Sequence, residues 1–183
     1  MRDIAVRGRR SIRLRGFDYR TDAAYFVTIC TFNRQCLLAQ ISDGHARLSE
    51  VGEIVAASWK WLEEHFQYPT LDEFIVMPNH IHGILITGHL GGSRTAPTTH
   101  KPLGRLLGAF KTVSSKRINL VRGTPGAPLW QRNYYERVIR SEEELQRIRE
   151  YVAGNPAAWE SDPQNPARSI SLRMIRDRAP WQV

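Results

Sequence analysis

Two histidines, His80 and His82, stand one residue apart at the start of an apolar run, directly after Pro78 and Asn79. In a β-strand, residues i and i+2 point to the same face, so both imidazoles should project side by side while Ile81 points to the opposite, buried face. Imidazoles rarely share an apolar surface without partners, because each carries a nitrogen that needs a hydrogen bond. Two neutral imidazoles on one face suit a divalent cation whose remaining positions are filled by substrate oxygens and water. The spacing alone equally allows two surface histidines that bind nothing.

The chain is strongly basic, with 26 Lys and Arg residues against 18 Asp and Glu residues, a net charge of +8 and a pI near 10.0. Most of this charge is arginine, whose planar guanidinium suits bidentate phosphate contacts, and the balance favours a nucleic-acid partner. A basic surface that is only solvated explains the charge too. The basic residues predicted to contact DNA lie in an N-terminal arm and in one helix: Arg9, Arg10, Arg13, Arg105, Lys111, Lys116 and Arg117.

Hydrophobic periodicity predicts the elements that position these groups. The predicted strands cover residues 24–33, 71–77, 80–87 and 134–140, and the predicted helices cover residues 49–66, 103–123 and 141–156. Ser49 and Ser141 are suitable N-caps, and Ser141 forms a capping box with Glu144. The order βαββαβ followed by a further helix predicts an α+β protein with a ferredoxin-like antiparallel sheet and helices mostly on one face.

The length of 183 residues fits a single domain, with a basic arm over residues 1–22 and a tail over residues 157–183. The sequence holds no apolar run long enough for a membrane span and no secretory leader, and its two cysteines match no zinc or redox spacing. We therefore expect a cytoplasmic protein without membrane contact, associated with the nucleoid if it binds DNA. The Gly-rich stretch 88–102 is predicted to be a loop.

Two sequence blocks resemble a known family. The phrase MPNHIH, residues 77–82, resembles the His-hydrophobic-His signature of single-tyrosine transposases, relaxases and replication initiators. The block from Leu129 to Trp159 resembles the C-terminal block of the REP-associated tyrosine transposases, with Trp-Gln, a Tyr-rich strand ending in Ile-Arg, an acidic-capped helix and Asn-Pro. The stretch YFVTICTFNR, residues 25–34, is similar to the first strand of that family. The resemblance spans residues 25–159 and implies the same fold, with an additional C-terminal catalytic helix.

The resemblance also implies roles for individual residues. Tyr151 matches the nucleophilic tyrosine, and His80 and His82 match the metal ligands. Asn155, one helical turn after Tyr151 and on the same face, matches a weaker third ligand or an orienting group. Without the resemblance, Tyr151 would be interpreted as a structural aromatic on an amphipathic helix.

The implied activity is that of a metal-dependent endonuclease or transposase that acts on single-stranded or hairpin DNA through a 5′-phosphotyrosine intermediate. Mg²⁺ or Mn²⁺ is the expected ion, because both accept sites completed by substrate oxygens. Trp130 and Tyr134 are predicted to stack on bases. Tyr134 and Tyr135 are also rival nucleophiles, and Glu73 is a rival metal ligand, although packing or solvent exposure explains these three residues more simply.

Two other functions fit the same sequence. One is a catalytically silent regulator that binds nucleic acid, and the other is a metal-dependent nuclease that uses water instead of a tyrosine. The resemblance leaves two oligomeric states open, because related insertion-sequence enzymes are dimers that exchange the tyrosine helix, whereas REP-associated members can act as monomers. The sequence decides neither the DNA motif nor the oligomeric state.

Overall fold

The computed structural model describes residues 23–66, 68–87 and 103–168. Its strands and helices are β1 (Ala23–Cys30), β2 (Ala39–Ser42), β3 (His45–Leu48), α1 (Glu50–His65), β4 (Pro69–Val76), β5 (His80–Thr87), α2 (Leu103–Val121), β6 (Tyr135–Ile139) and α3 (Glu142–Gly154). The basic arm, the 88–102 stretch and the last 15 residues of the tail, 169–183, lie outside the described residues.

The main sheet confirms the predicted α+β, ferredoxin-like fold. Its strand order is β4-β5-β1-β6, and each neighbouring pair is antiparallel. The strands β2 and β3 form a separate two-stranded hairpin that the sequence analysis did not predict. The first strand was predicted to continue to Asn33 but ends at Cys30, because the chain turns there and both Asn33 and Arg34 adopt positive φ angles.

The two faces of the sheet carry different helices. Side chains from α1 and α2 pack with Tyr25, Val27 and Ile81 on one side, which we call the helix-pair face. Residues Leu145 and Val152 of α3 pack on the other side, which we call the α3 face. The expectation that the helices lie mostly on one face is confirmed, since α1 and α2 share a face and only α3 among the described α-helices lies on the other.

Close packing on the helix-pair face depends on Gly83 in the middle of β5. A Cβ built on Gly83 would lie 2.6 Å from the Trp59 ring of α1, closer than real Cβ contacts occur. The absent side chain lets the Trp59 ring lie against the sheet and stack on Phe74, with ring centroids 4.9 Å apart. The first half of β5 is therefore held firmly from this side.

The helix α3 is fixed at both its start and its middle. The Ser141 hydroxyl accepts a hydrogen bond from the backbone N–H of Glu144 at 3.2 Å, which confirms Ser141 as the N-cap. Arg149 forms a two-pronged ion pair with Asp72 of β4, with a shortest distance of 2.6 Å from Nη2 to Oδ2. The ion pair therefore attaches α3 to strand β4 of the same chain. Among the described helices, none is both long enough and apolar enough to cross a membrane.

Candidate metal and tyrosine site

The two histidines begin β5 and both point to the α3 face, as their spacing predicted. His80 pairs across the sheet with Cys30, and His82 pairs with Thr28. Both imidazoles are buried, at 0% and 3% exposure, and their Nε2 atoms lie 3.0 Å apart. Two nitrogens at this separation could hold one cation together.

The outer nitrogen of each ring has its own partner. Nδ1 of His80 lies 2.9 Å from Oδ1 of Asn79, and Nδ1 of His82 lies 2.8 Å from Oγ1 of Thr28. Hydrogen bonds of this kind orient metal-binding histidines.

Burial keeps both imidazoles neutral at physiological pH. Desolvation, together with smaller effects of the neighbouring His82 and Arg34, lowers the pKa of His80 from 6.5 to about 3. Desolvation lowers the pKa of His82 to about 4. Neutral imidazoles keep the lone pairs that metal binding requires.

Asp162 is the third group of the site, and the sequence analysis did not find it. Its Oδ2 atom lies 3.8 Å from Nε2 of His80, and the three side chains form a buried cluster that could hold a metal ion. Burial is the main cause that raises the pKa of the Asp162 carboxyl above its usual value. The raised pKa agrees with a carboxylate that lacks a strong cationic partner.

The segment after α3 brings Asp162 to the histidines. The chain makes a short 3-10 turn over Trp159–Ser161, and the backbone N–H of Gln164 donates to Oδ1 of Asp162. The segment is then tied to the loops beneath it, because Asn79 Nδ2 donates to the Gln164 carbonyl at 2.8 Å and Arg34 donates to the Pro163 carbonyl at 3.3 Å. This segment lies in the predicted tail, whose sequence carries no recognised motif.

The tyrosine of α3 reaches the same place within one chain. The Tyr151 hydroxyl lies 3.5 Å from Nε2 of His82, and its ring centroid lies 5.3 Å from that of His82. Phe26 supports both rings: it stacks on His82 at 5.3 Å and meets Tyr151 edge-on at 5.9 Å. Tyr151 is 49% exposed, so an incoming substrate can reach the phenol.

The environment of Tyr151 keeps its phenol protonated. Desolvation raises its pKa above 10.0, and the Asp162 carboxylate acts in the same direction. A hydrogen bond with the side chain of Asn155 opposes both effects. The phenol is therefore not ionised in the free protein.

Asn155 is buried at 3% exposure, and its Oδ1 atom has no hydrogen-bond partner among the described residues. An unsatisfied buried carbonyl oxygen is costly unless a ligand completes it. The role of Asn155 as a weak third ligand stays a prediction, because its side chain is placed beside Tyr151. The nitrogens of His80 and His82 and the carboxylate of Asp162 make a donor set that fits a divalent cation. The residues present are thus compatible with the expected Mg²⁺ or Mn²⁺.

The structure corrects one predicted DNA contact and separates the two adjacent tyrosines. Trp130 is only 6% exposed and donates its indole N–H to Ser114, so it belongs to the core and its predicted stacking on bases is wrong. Tyr134 is partly buried and packs on the helix-pair face. Tyr135 is 54% exposed on the α3 face, with its ring 6.3 Å from Phe26. Glu73 is exposed and is not part of the histidine cluster.

The basic residues of α2 lie on a different side from the histidines. Arg105, Lys116 and Arg117 are exposed on the helix-pair side, and Arg117 also donates to Ser58 of α1 at 3.3 Å. The Lys111 ammonium is half-buried and donates to the carbonyls of two residues in the loop after α2. Arg9, Arg10 and Arg13 lie outside the described residues. The predicted DNA contacts of these residues stay predictions.

Comparison with known proteins gives a sequence relative and several similar structures. No family model matches the sequence. An uncharacterized protein of Haemophilus influenzae (strain ATCC 51907 / DSM 11121 / KW20 / Rd) is 34% identical over 172 residues, covering 87% of this chain and 94% of that protein.

The fold is similar to that of a REP-associated tyrosine transposase solved bound to a REP hairpin, with a TM-score of 0.54 and 15% identity over 76% of this chain and 70% of that one. A putative transposase from Deinococcus radiodurans gives a TM-score of 0.42 and 20% identity over 77% of this chain and 95% of that one. The family resemblance seen in the sequence is confirmed at the level of the fold.

Proposed function

We propose that this protein cleaves and rejoins DNA as a transposase. The chain belongs to the same family as the Haemophilus influenzae protein, and its fold is similar to that of a REP-associated tyrosine transposase. Tyr151 is the proposed nucleophile, and single-stranded or hairpin DNA is the proposed substrate. The observation that carries this proposal is the meeting of the Tyr151 hydroxyl with the paired imidazoles, 3.5 Å from Nε2 of His82 in the same chain.

The proposed step exchanges one phosphate ester for another. The Tyr151 oxygen forms a bond to phosphorus as the bond from phosphorus to the 3′ oxygen breaks. The phenol loses its proton, the departing 3′ oxygen gains one, and the 5′ phosphate stays on the tyrosine. The ester conserves the energy of the broken bond, so the reverse attack by a 3′-OH rejoins DNA without ATP.

His80 and His82 are the proposed ligands of the cation, with Asp162 and Asn155 supplying oxygens beside them. A bound Mg²⁺ or Mn²⁺ would polarise a non-bridging phosphate oxygen and stabilise the charge that develops on phosphorus. This help is needed because a phenol is a poor nucleophile at neutral pH, and burial raises the pKa of Tyr151 further. Phe26 holds the Tyr151 ring in position through its edge contact.

The open side of the site favours a single strand as substrate. Tyr135 stands half-exposed on the edge strand β6, two residues before Arg137, whose side chain is 59% exposed and forms an ion pair with Glu144 at 2.6 Å. An aromatic ring next to a cation is the combination that single-strand-binding proteins use for bases and phosphates. The basic side chains of α2 lie on the helix-pair side, so they would contact only DNA that continues around the sheet edge, as a hairpin stem could. The REP hairpin bound by the structurally similar transposase supports this choice of substrate.

One chain carries all the proposed groups. Because α3 is anchored to its own sheet by the Arg149–Asp72 ion pair, Tyr151 needs no partner subunit to reach the histidines. A monomer is therefore sufficient for the proposed cleavage, and a homodimer remains a prediction that rests on the resemblance.

The test is covalent trapping on a hairpin oligonucleotide with a single-stranded flank, labelled at its 3′ end so that the fragment joined to the tyrosine is visible. With Mg²⁺ or Mn²⁺ present, we expect a labelled protein band that survives denaturation. Tyr151→Phe should eliminate this band, because the variant lacks the attacking oxygen. His80→Ala combined with His82→Ala should abolish cleavage and leave part of the DNA binding.

Tyr68→Phe and His45→Ala are matched controls, because each removes the same chemical group away from the site, and both should keep the band. A band that persists in Tyr151→Phe would refute the nucleophile assignment. Cleavage without any band would identify a nuclease that uses water. Binding without cleavage would identify a silent regulator.

A further inference from the structure

The Nδ1 atoms of the two histidines have different hydrogen-bond partners. The partner of His80 is the side chain of Asn79. This side chain is fully buried, and its amide nitrogen donates to two backbone carbonyls, those of Arg34 at 3.2 Å and Gln164 at 2.8 Å. Flipping the amide would place its oxygen against both carbonyl oxygens, so its orientation is fixed. Oδ1 of Asn79 must therefore face Nδ1 of His80, at 2.9 Å.

A carbonyl oxygen accepts hydrogen bonds and cannot donate them, so Nδ1 of His80 must carry the proton. Nε2 of a neutral His80 is then a bare acceptor. It lies 3.0 Å from Nε2 of His82, and a hydrogen bond at this distance needs one proton between the two nitrogens. That proton must belong to His82, whose Nδ1 is consequently bare in the metal-free protein.

The partner of His82 has no such restriction. Nδ1 of His82 lies 2.8 Å from the Thr28 hydroxyl, which rotates and can either donate or accept. In the metal-free protein the hydroxyl donates to the bare nitrogen. If the proton moves from Nε2 to Nδ1, the same hydroxyl turns and accepts it.

We propose that Asn79 is a positioning residue that locks His80 in its Nδ1–H form, and that Thr28 leaves His82 free to change tautomer when a cation binds. One proton leaves Nε2 of His82 and one is taken up at Nδ1, so the ring stays neutral and no net proton is released. The locked state of His80 stands without a metal, whereas the change at His82 rests on the proposed function. The site is thus half preformed: one ligand is ready, and the second frees its lone pair on binding.

Long-range proton–nitrogen NMR on the ¹⁵N-histidine-labelled full chain reads each tautomer directly. In the metal-free protein we expect Nδ1–H for His80 and Nε2–H for His82. Addition of Zn²⁺, a diamagnetic probe that binds imidazole, should convert His82 to Nδ1–H and leave His80 unchanged. Nε2–H at His80, or Nδ1–H at His82 before the metal is added, would overturn the proposal.

Paired variants separate positioning from folding. Asn79→Asp keeps an oxygen acceptor for His80 but sets its second oxygen against the Arg34 and Gln164 carbonyls, so the His80 tautomer should survive in a less stable protein. Asn79→Ala should give mixed tautomers at His80 and weaken Zn²⁺ binding about 10–100-fold, the usual effect of losing an outer hydrogen bond. Thr28→Ser should preserve the change at His82, and Thr28→Val should abolish it. If neither Asn79 variant folds, the tautomers of the unmodified chain before and after Zn²⁺ is added still decide the matter.

The outcomes also separate this inference from the proposed function. The expected tautomers with no trapped DNA band would leave Asn79 as a positioning residue and refute the strand cleavage. A trapped band with His80 in the Nε2–H form would refute the role of Asn79 and leave the cleavage standing.

Discussion

The two faces of the sheet have different roles: the helix-pair face carries most of the hydrophobic core, and the α3 face carries the candidate site. On the helix-pair face, two helices cover the strands with large fully buried side chains that include Trp59, Phe110 and Leu85. On the α3 face, a single helix covers an apolar patch around Ile84 and Val152 and leaves the other end to polar groups. The protein thus builds a dry core on one side and can tolerate desolvated histidines on the other.

The same strands serve both faces, because alternate residues point to opposite sides. Ile81, between the two histidines, is completely buried in the helix-pair core. Burial of that side chain fixes the backbone that aims both imidazoles. The comparison teaches that the precision of the site is derived from packing on the opposite side of the sheet.

Truncation of a core side chain on each face should have the largest effect and test this division directly. Trp59→Ala on the helix-pair face should lower the free energy of unfolding by about 3–5 kcal/mol, and Leu145→Ala on the α3 face by about 2–4 kcal/mol. Chemical denaturation followed by circular dichroism measures both. Only Leu145→Ala should release α3 while the sheet stays folded, as hydrogen exchange would show. If both variants lost protection from hydrogen exchange equally on both faces, the two faces would not be energetically separate.

Acid should destabilise the protein through the α3 face. The folded pKa values of about 3 for His80 and about 4 for His82 lie below the ordinary 6.5, so the unfolded chain binds more protons as the pH falls from 6.5. Each histidine should lower the free energy of unfolding by on the order of 1 kcal/mol per pH unit within this window. Denaturation at several pH values measures the slope.

The raised pKa of Asp162 works in the opposite direction and offsets part of this loss, since its protonated form is favoured in the folded state. Replacing both histidines with glutamine should flatten the dependence. A slope that survives in the double variant would place the acid sensitivity elsewhere.

Loss of the ion pair between α3 and β4 should have the smallest effect. Asp72→Asn removes the charge that Arg149 binds, and partly exposed pairs of this kind contribute about 1 kcal/mol or less. The midpoint of denaturation should therefore shift little, while hydrogen exchange in α3 should accelerate. High salt should reproduce the effect in the unmodified chain. An unchanged exchange rate would show that apolar contacts alone hold the helix.

The sequence predicted the order of the main elements along the chain and the shared face of His80 and His82, because both follow from local periodicity. The family resemblance also predicted that Tyr151 lies at the same site. The sequence could not predict that Asp162 joins the histidines, because its position depends on the path of the chain after α3 and on hydrogen bonds to distant loops.

Two other differences have distinct causes. Trp130 was misassigned because an aromatic side chain carries no sequence signal that separates core packing from base stacking. The hairpin of β2 and β3 did carry a signal, the Asp43–Gly44 pair, whose positive φ angles of 52° and 71° suit a tight hairpin turn.

The hydrogen bonds from Asn79 and Arg34 to the carbonyls of Gln164 and Pro163 have a practical consequence for shortened versions of the protein. A fragment that stops at the end of α3 would retain the phenol and both imidazoles yet lack the carboxylate and one of the two carbonyls that orient the Asn79 amide. Boundaries chosen for expression should therefore extend past Asn165, and a fragment cut earlier would serve as a natural probe of how much the returning segment adds to cation affinity.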